Sequence, residues 1–125
     1  MFIARKPGLQ YVLRHNPAAW DKQIVDFIAD FTWRNMDLSA IVPANACLVC
    51  LTTNIAAATA AKLLEIRPQG ESQVFNRNMV QTQVPYVSNQ GQHIVAISST
   101  GIVEYRLTNS IDWSAIQLVV TGWFV

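Results

Sequence analysis

Charge is scarce in this chain. Nine Lys and Arg against eight Asp and Glu make up only 14% of the 125 residues, while 51% are hydrophobic. A net charge of +1 excludes the whole-molecule field that would gather nucleic acid or an anionic membrane. Glycine is also rare, with five in all, and none forms a phosphate-cradling loop. No apolar run approaches the roughly 20 residues of a membrane helix, so the chain is expected to span no bilayer. Residues 1 to 9, MFIARKPGL, hold two charges where a secretory signal needs its apolar core, and no export signal is expected. So little charge for so much apolar side chain predicts that part of the surface is covered by other protein chains.

The chemistry that could make an enzyme is equally thin. Cys47 and Cys50 form a CxxC, but no second ligand pair accompanies it for zinc and no helix start for redox work. On a strand their Cα atoms lie about 10 Å apart, beyond the ~7 Å that a disulfide spans. Two reduced core thiols are the expectation. His15 and His93 have no ligand spacing, the eight acids are scattered, and Ser39, Ser98 and Ser99 have no glycine-flanked elbow. His93 is expected at a strand end. These patterns support no catalytic residue, no cofactor and no metal site, and an enzyme is not expected.

What is present is strand patterning behind a different leading segment. Residues 1–30 carry the turn dipeptides Pro7-Gly8 and Asn16-Pro17 and four cations, Arg5, Lys6, Arg14 and Lys22, against Asp21 in the first 22 positions. They read as an N-terminal arm, extended or partly helical, because Trp20, Ile24, Phe27 and Ile28 sit at helical spacing within residues 18–29. The interleaved apolar residues suit an acidic protein surface at least as well as nucleic acid.

Residues 31–125 read as one all-β domain, an antiparallel β-sandwich. Phe31 and Trp33 alternate with polar neighbours, and Met36 and Leu38 continue with parity switched, which predicts a bulge near Asn35. Pro43 marks a turn, and Cys47 to Thr53 is apolar on both faces, as at the middle of a sandwich. The alanine-rich Asn54 to Lys62 is expected to be a loop with one helical turn. Leu63 to Arg67 is a strand stopped by Pro68-Gln69-Gly70, and the amide-rich Glu71 to Asn89 is a long connection with one or two edge strands. Gln92 to Ser98 and Ile102 to Leu107 flank Ser99-Thr100-Gly101 and predict a hairpin. The chain closes on the strand Ile116 to Val125, whose apolar end, Trp123, Phe124 and Val125, is expected in the core or a subunit interface. Tyr11, Trp20, Trp33, Tyr86, Tyr105, Trp113 and Trp123 fit core or interface better than a stacking platform for sugars or bases.

Two stretches carry a resemblance. Phe31-Thr32-Trp33 leading to Asp37-Leu38-Ser39-Ala40-Ile41-Val42-Pro43-Ala44 and an apolar strand resembles the opening of small β-sandwich domains in virion surface proteins of tailed bacteriophages. Ile102-Val103-Glu104-Tyr105-Arg106-Leu107, then Trp113 and Val119-Val120-Thr121-Gly122-Trp123-Phe124, resembles their close. The resemblance implies a jelly-roll-like sandwich that trimerises and serves as a head decoration (cement) protein, a head fibre or a tail-fibre tip. With only residues 1–30 ahead of the domain, a capsid decoration subunit is the expectation, made in the host cytoplasm and seated on the virion surface. Its implied partners are the major capsid protein and its own copies as a homotrimer, with no nucleic acid and no membrane. Arg5, Lys6, Tyr11, Arg14, His15 and Trp20 would contact the capsid, and Trp123, Phe124 and Val125 the neighbouring subunit. The alternative is a receptor- or glycan-binding tip that grips a host surface with exposed aromatic residues.

Overall fold

The computed structural model describes residues 8–125, and Arg5 and Lys6 lie outside that range. Eight strands follow in chain order: β1 (Tyr11–Leu13), β2 (Arg34–Asp37), β3 (Leu48–Ala57), β4 (Leu63–Pro68), β5 (Asn78–Gln81), β6 (Asn89–Ala96), β7 (Ile102–Leu107) and β8 (Trp113–Phe124). They form two four-stranded sheets, sheet A in the order β1-β8-β3-β6 and sheet B in the order β2-β7-β4-β5. Every pairing is antiparallel. The protein is therefore all-β and sandwich-like, with a single turn of 3-10 helix (Ile24–Asp26).

Alternation of side chains along each strand builds the core. Val49, Leu51, Ile55 and Ala57 of β3 point inward with Ile116, Leu118 and Val120 of β8, and meet Leu64, Ile66, Val103 and Leu107 of sheet B. Each of these side chains is almost fully withdrawn from water, at about 1.5–3 kcal/mol for a full-sized aliphatic group. Phe27 closes one end, edge-on to the Tyr105 ring at 5.0 Å.

Several expectations are corrected. Residues 18–29 form no continuous helix, only the 3-10 turn Ile24–Asp26. Asp21 and Lys22 donate their N–H groups to Leu118 O instead, and of the expected stripe Ile24 and Ile28 stay exposed, so no continuous apolar face docks to support a helix. No bulge occurs at Asn35, since the register runs unbroken from Arg34↔Tyr105 to Asp37↔Ile102. The parity switch arises because Phe31, at φ +59°, and Trp33 precede the strand rather than belong to it.

The alanine-rich stretch is a strand as far as Ala57. Asn54, Ile55 and Ala56 pair with Gln117, Ile116 and Ala115, and partners so far along the chain outweigh alanine's helical preference. The hairpin is absent as well, although both strands exist. β6 pairs with β3 in sheet A, β7 pairs with β2 and β4 in sheet B, and the Ser98–Gly101 turn carries the chain across. Gly101 makes that crossing possible: at φ +72° a Cβ there would sit 2.7 Å from Ser39 Cα.

Candidate functional site

The leading segment supplies an edge strand of sheet A, laid along β8. β1 pairs with the end of β8, Gln10 and Val125 exchange backbone hydrogen bonds of 3.0 Å, and Arg14 N–H donates to Thr121 O at 3.0 Å. Tyr11 stacks on Phe124 at 5.3 Å between ring centroids and lies over Gly122, where any Cβ would fall 2.7 Å from the phenol ring. Arg14 Nη1 donates to Asp21 Oδ2 at 2.5 Å, and the same carboxylate oxygen accepts the Val120 N–H at 2.8 Å. This half-buried pair ties the chain before the Asn16-Pro17 turn to the chain after it. Trp20 flanks an open recess of about 360 Å³ together with Pro17 and Val119.

The residues expected to touch a capsid therefore separate. Tyr11 and Arg14 engage β8 of their own chain, Trp20 lines the recess beside Val119, and His15 is exposed. Of the three terminal residues, Phe124 lies on the outer face against Tyr11, while Trp123 and Val125 pack on the core.

The outer faces of the two sheets differ in kind. On sheet B, Glu65 of β4 is 2% exposed and accepts hydrogen bonds from Arg77 Nη1 at 2.8 Å and Arg106 Nε at 2.6 Å, and Arg67 Nε donates to Glu104 at 2.6 Å. The Trp33 ring lies beneath Arg67, 3.9 Å from Cζ to centroid, and Phe31 beneath Arg106 at 4.1 Å. These stacks shield the ion pairs from water and strengthen them. Trp33 and Phe31 thus roof a charged lattice rather than fill the core.

Among the described residues, none of the outward side chains of the four strands of sheet A is charged, and the Arg14–Asp21 pair lies at the β8 flank. The cross-strand rows there read Tyr11, Phe124, Leu48 and Ala96, then Leu13, Gly122, Cys50 and Ile94. Val119, Thr52 and Gln92 follow, and Gln117, Asn54 and Gln90 close the set, with Asn54 Nδ2 donating to Gln117 Oε1 at 2.8 Å. A solvated antiparallel sheet ordinarily alternates apolar-in with polar-out. The expectation that Cys47 to Thr53 is apolar on both faces held the only sequence signal of this surface. The thiols need correcting with it: Cys47, just before β3, is exposed and Cys50 is half-buried on this outer face, both free of disulfides, so neither is a core residue. Partial burial pushes the Cys50 thiol up.

Inside the sandwich, His93 is buried in mid-strand rather than at a strand end, with Nε2 2.9 Å from Thr53 Oγ1. Desolvation lowers its pKa. Among the described residues no three His, Cys, Asp or Glu side chains gather as a metal would require, and no helix is long and apolar enough to cross a membrane.

No protein-family model matches the chain, and no curated protein matches it significantly. The fold and surface define a class by themselves, a small all-β protein of two four-stranded antiparallel sheets with one uncharged outer face.

Proposed function

We propose that the chain is a virion structural protein of a tailed bacteriophage, a capsid decoration subunit with a jelly-roll fold that binds the shell as a small homo-oligomer. The observation that carries this reading is the strand order, β1-β8-β3-β6 facing β2-β7-β4-β5. That is the order obtained when eight antiparallel strands wrap as two Greek keys, an architecture used by viral capsid and lectin domains. The stretches resembling phage surface domains, residues 31–44 and 102–124, contribute β2, β7 and β8.

In this reading the work is mechanical. The subunit binds the assembled shell and not its free components, and so stabilises the shell by mass action. Arg5, Lys6, His15 and Trp20 face the coat protein, while Tyr11 and Arg14 fasten the segment that carries them to β8. The homotrimer implied by the resemblance keeps its place as the assembly to test.

Mass spectrometry of purified particles of the virus that encodes the chain provides that test. The expected result is a copy number in the hundreds per particle, with release on combining Arg5→Ala, Lys6→Ala and His15→Ala. A handful of copies, indifferent to those substitutions, would sink the reading. It would instead favour a receptor- or glycan-binding tip, for which Phe75 at 89% and Tyr86 at 73% exposed are the available aromatic grips.

A further inference from the structure

We propose that copies of this chain meet through the outer face of sheet A, with that face turned toward the symmetry axis of the assembly. The inference rests on the oligomer in the reading above and not on the capsid.

Three observations carry it. The face is continuous across four strands and has no ionised side chain among its outward residues, whereas the outer face of sheet B holds Arg67, Arg77 and Arg106 with their carboxylates. Interface centres are depleted of charge in the same way. Its flat extent is somewhat below what a stable interface takes, and the relief of the side chains adds to it. The rows from Leu48 to Asn54, at ~3.4 Å per residue across up to four strands about 4.8 Å apart, give a flat footprint of roughly 450 Å² before the pleat is counted. A stable interface takes about 800 Å² of accessible surface from each partner.

The third observation selects the occupant. A charged partner laid on this face would lose its water and find no counter-charge, at several kcal/mol per ion. The fitting complement is another uncharged sheet face, and among the described residues the chain presents one: the same face on a second copy. Such self-matching closes two copies about a two-fold axis. Leu48, Cys50 and Ile94 then supply apolar contact, and the amides of Gln90, Gln92 and Gln117, each able to donate and accept, pair across the seam.

Sedimentation equilibrium of the full-length protein tests this against two charge insertions, Ile94→Lys and Thr52→Lys, and a control on the other face, Asn35→Lys. The wild type and the control are expected at two chain masses. Each insertion should weaken association by roughly a hundredfold, with an unchanged circular dichroism spectrum. Should Thr52→Lys fail to fold, Ile94→Lys alone decides, because its side chain already reaches solvent; Cys50 should then alkylate faster in that variant than in the wild type. A wild type of single-chain mass at its highest soluble concentration overturns the proposal, as does an oligomer unmoved by both insertions. An oligomer dissolved by these lysines that is nevertheless absent from virus particles upholds this interface and removes only the capsid reading.

Discussion

His93 shows how one residue's setting becomes a property of the whole fold. The only hydrogen bond its ring makes among the described residues is to Thr53, and no carboxylate shares it. Burial lowers its pKa below the ordinary 6.5, so below that pH the unfolded chain binds a proton that the folded chain resists. Stability contributed by the neutral ring is complete above pH 6.5 and declines as the pH falls. Urea midpoints should therefore drop between pH 7 and pH 5 with a slope of at most one proton, and His93→Gln should flatten that window. Acid-side losses from the carboxylates come later. The Arg34 side chain holds Asp30 below the ordinary 3.8, and hydrogen bonds from Ser110 and Thr59 do the same for Asp112, so their contributions vanish only as the pH falls through and below that value. A titration in which wild type and His93→Gln run parallel from pH 7 to pH 5 would refute the assignment.

At the scale of elements, the short strand β1 is the informative one. Three residues form too few ladder bonds to hold by themselves, and its seat depends on the close approach of Tyr11 to Gly122. Gly122→Ala places a methyl against that ring and should cost about 1–3 kcal/mol as an overpacked contact. Hydrogen exchange should locate the effect: the Gln10 and Arg14 amides, bonded to Val125 and Thr121, should exchange faster while those of β4 and β7 do not change. Uniform acceleration across both sheets would mean that β1 is no separate unit. The same element explains why the leading segment reads as an arm. Its turns and basic residues are local signals, whereas the β8 edge that it covers lies more than a hundred residues away.

For the whole molecule, the leading segment seals one flank of sheet A. Deleting residues 1–22 removes β1, the Arg14–Asp21 pair and the Lys22 bridge to Leu118 together, and exposes the backbone edge of β8, a twelve-residue strand. An uncovered edge of that length is a template for pairing between chains. The truncated protein is expected to unfold at lower urea concentration and to scatter light increasingly with concentration, which denaturation and light scattering would check. Equal midpoints would show that the segment adds nothing to the fold. For the same reason the capsid reading is tested better by point substitution than by truncation.

Strand content and several strand positions were legible in the amino-acid order. The alternation in Leu63 to Arg67, in Ile102 to Leu107 and along the final strand marks β4, β7 and most of β8, and Pro68-Gln69-Gly70 marks the end of β4, because period-two patterning and turn chemistry are local. Partner choice was not legible. β6 and β7 look like a hairpin from their spacing and belong to different sheets, and Asn54 to Ala57 became strand only beside Gln117 and Ile116, since pairing depends on side chains distant in sequence. The uncharged face belongs to the same category. Leu13, Cys50, Ile94 and Gly122 are unremarkable one by one and form a surface only when four strands lie in register.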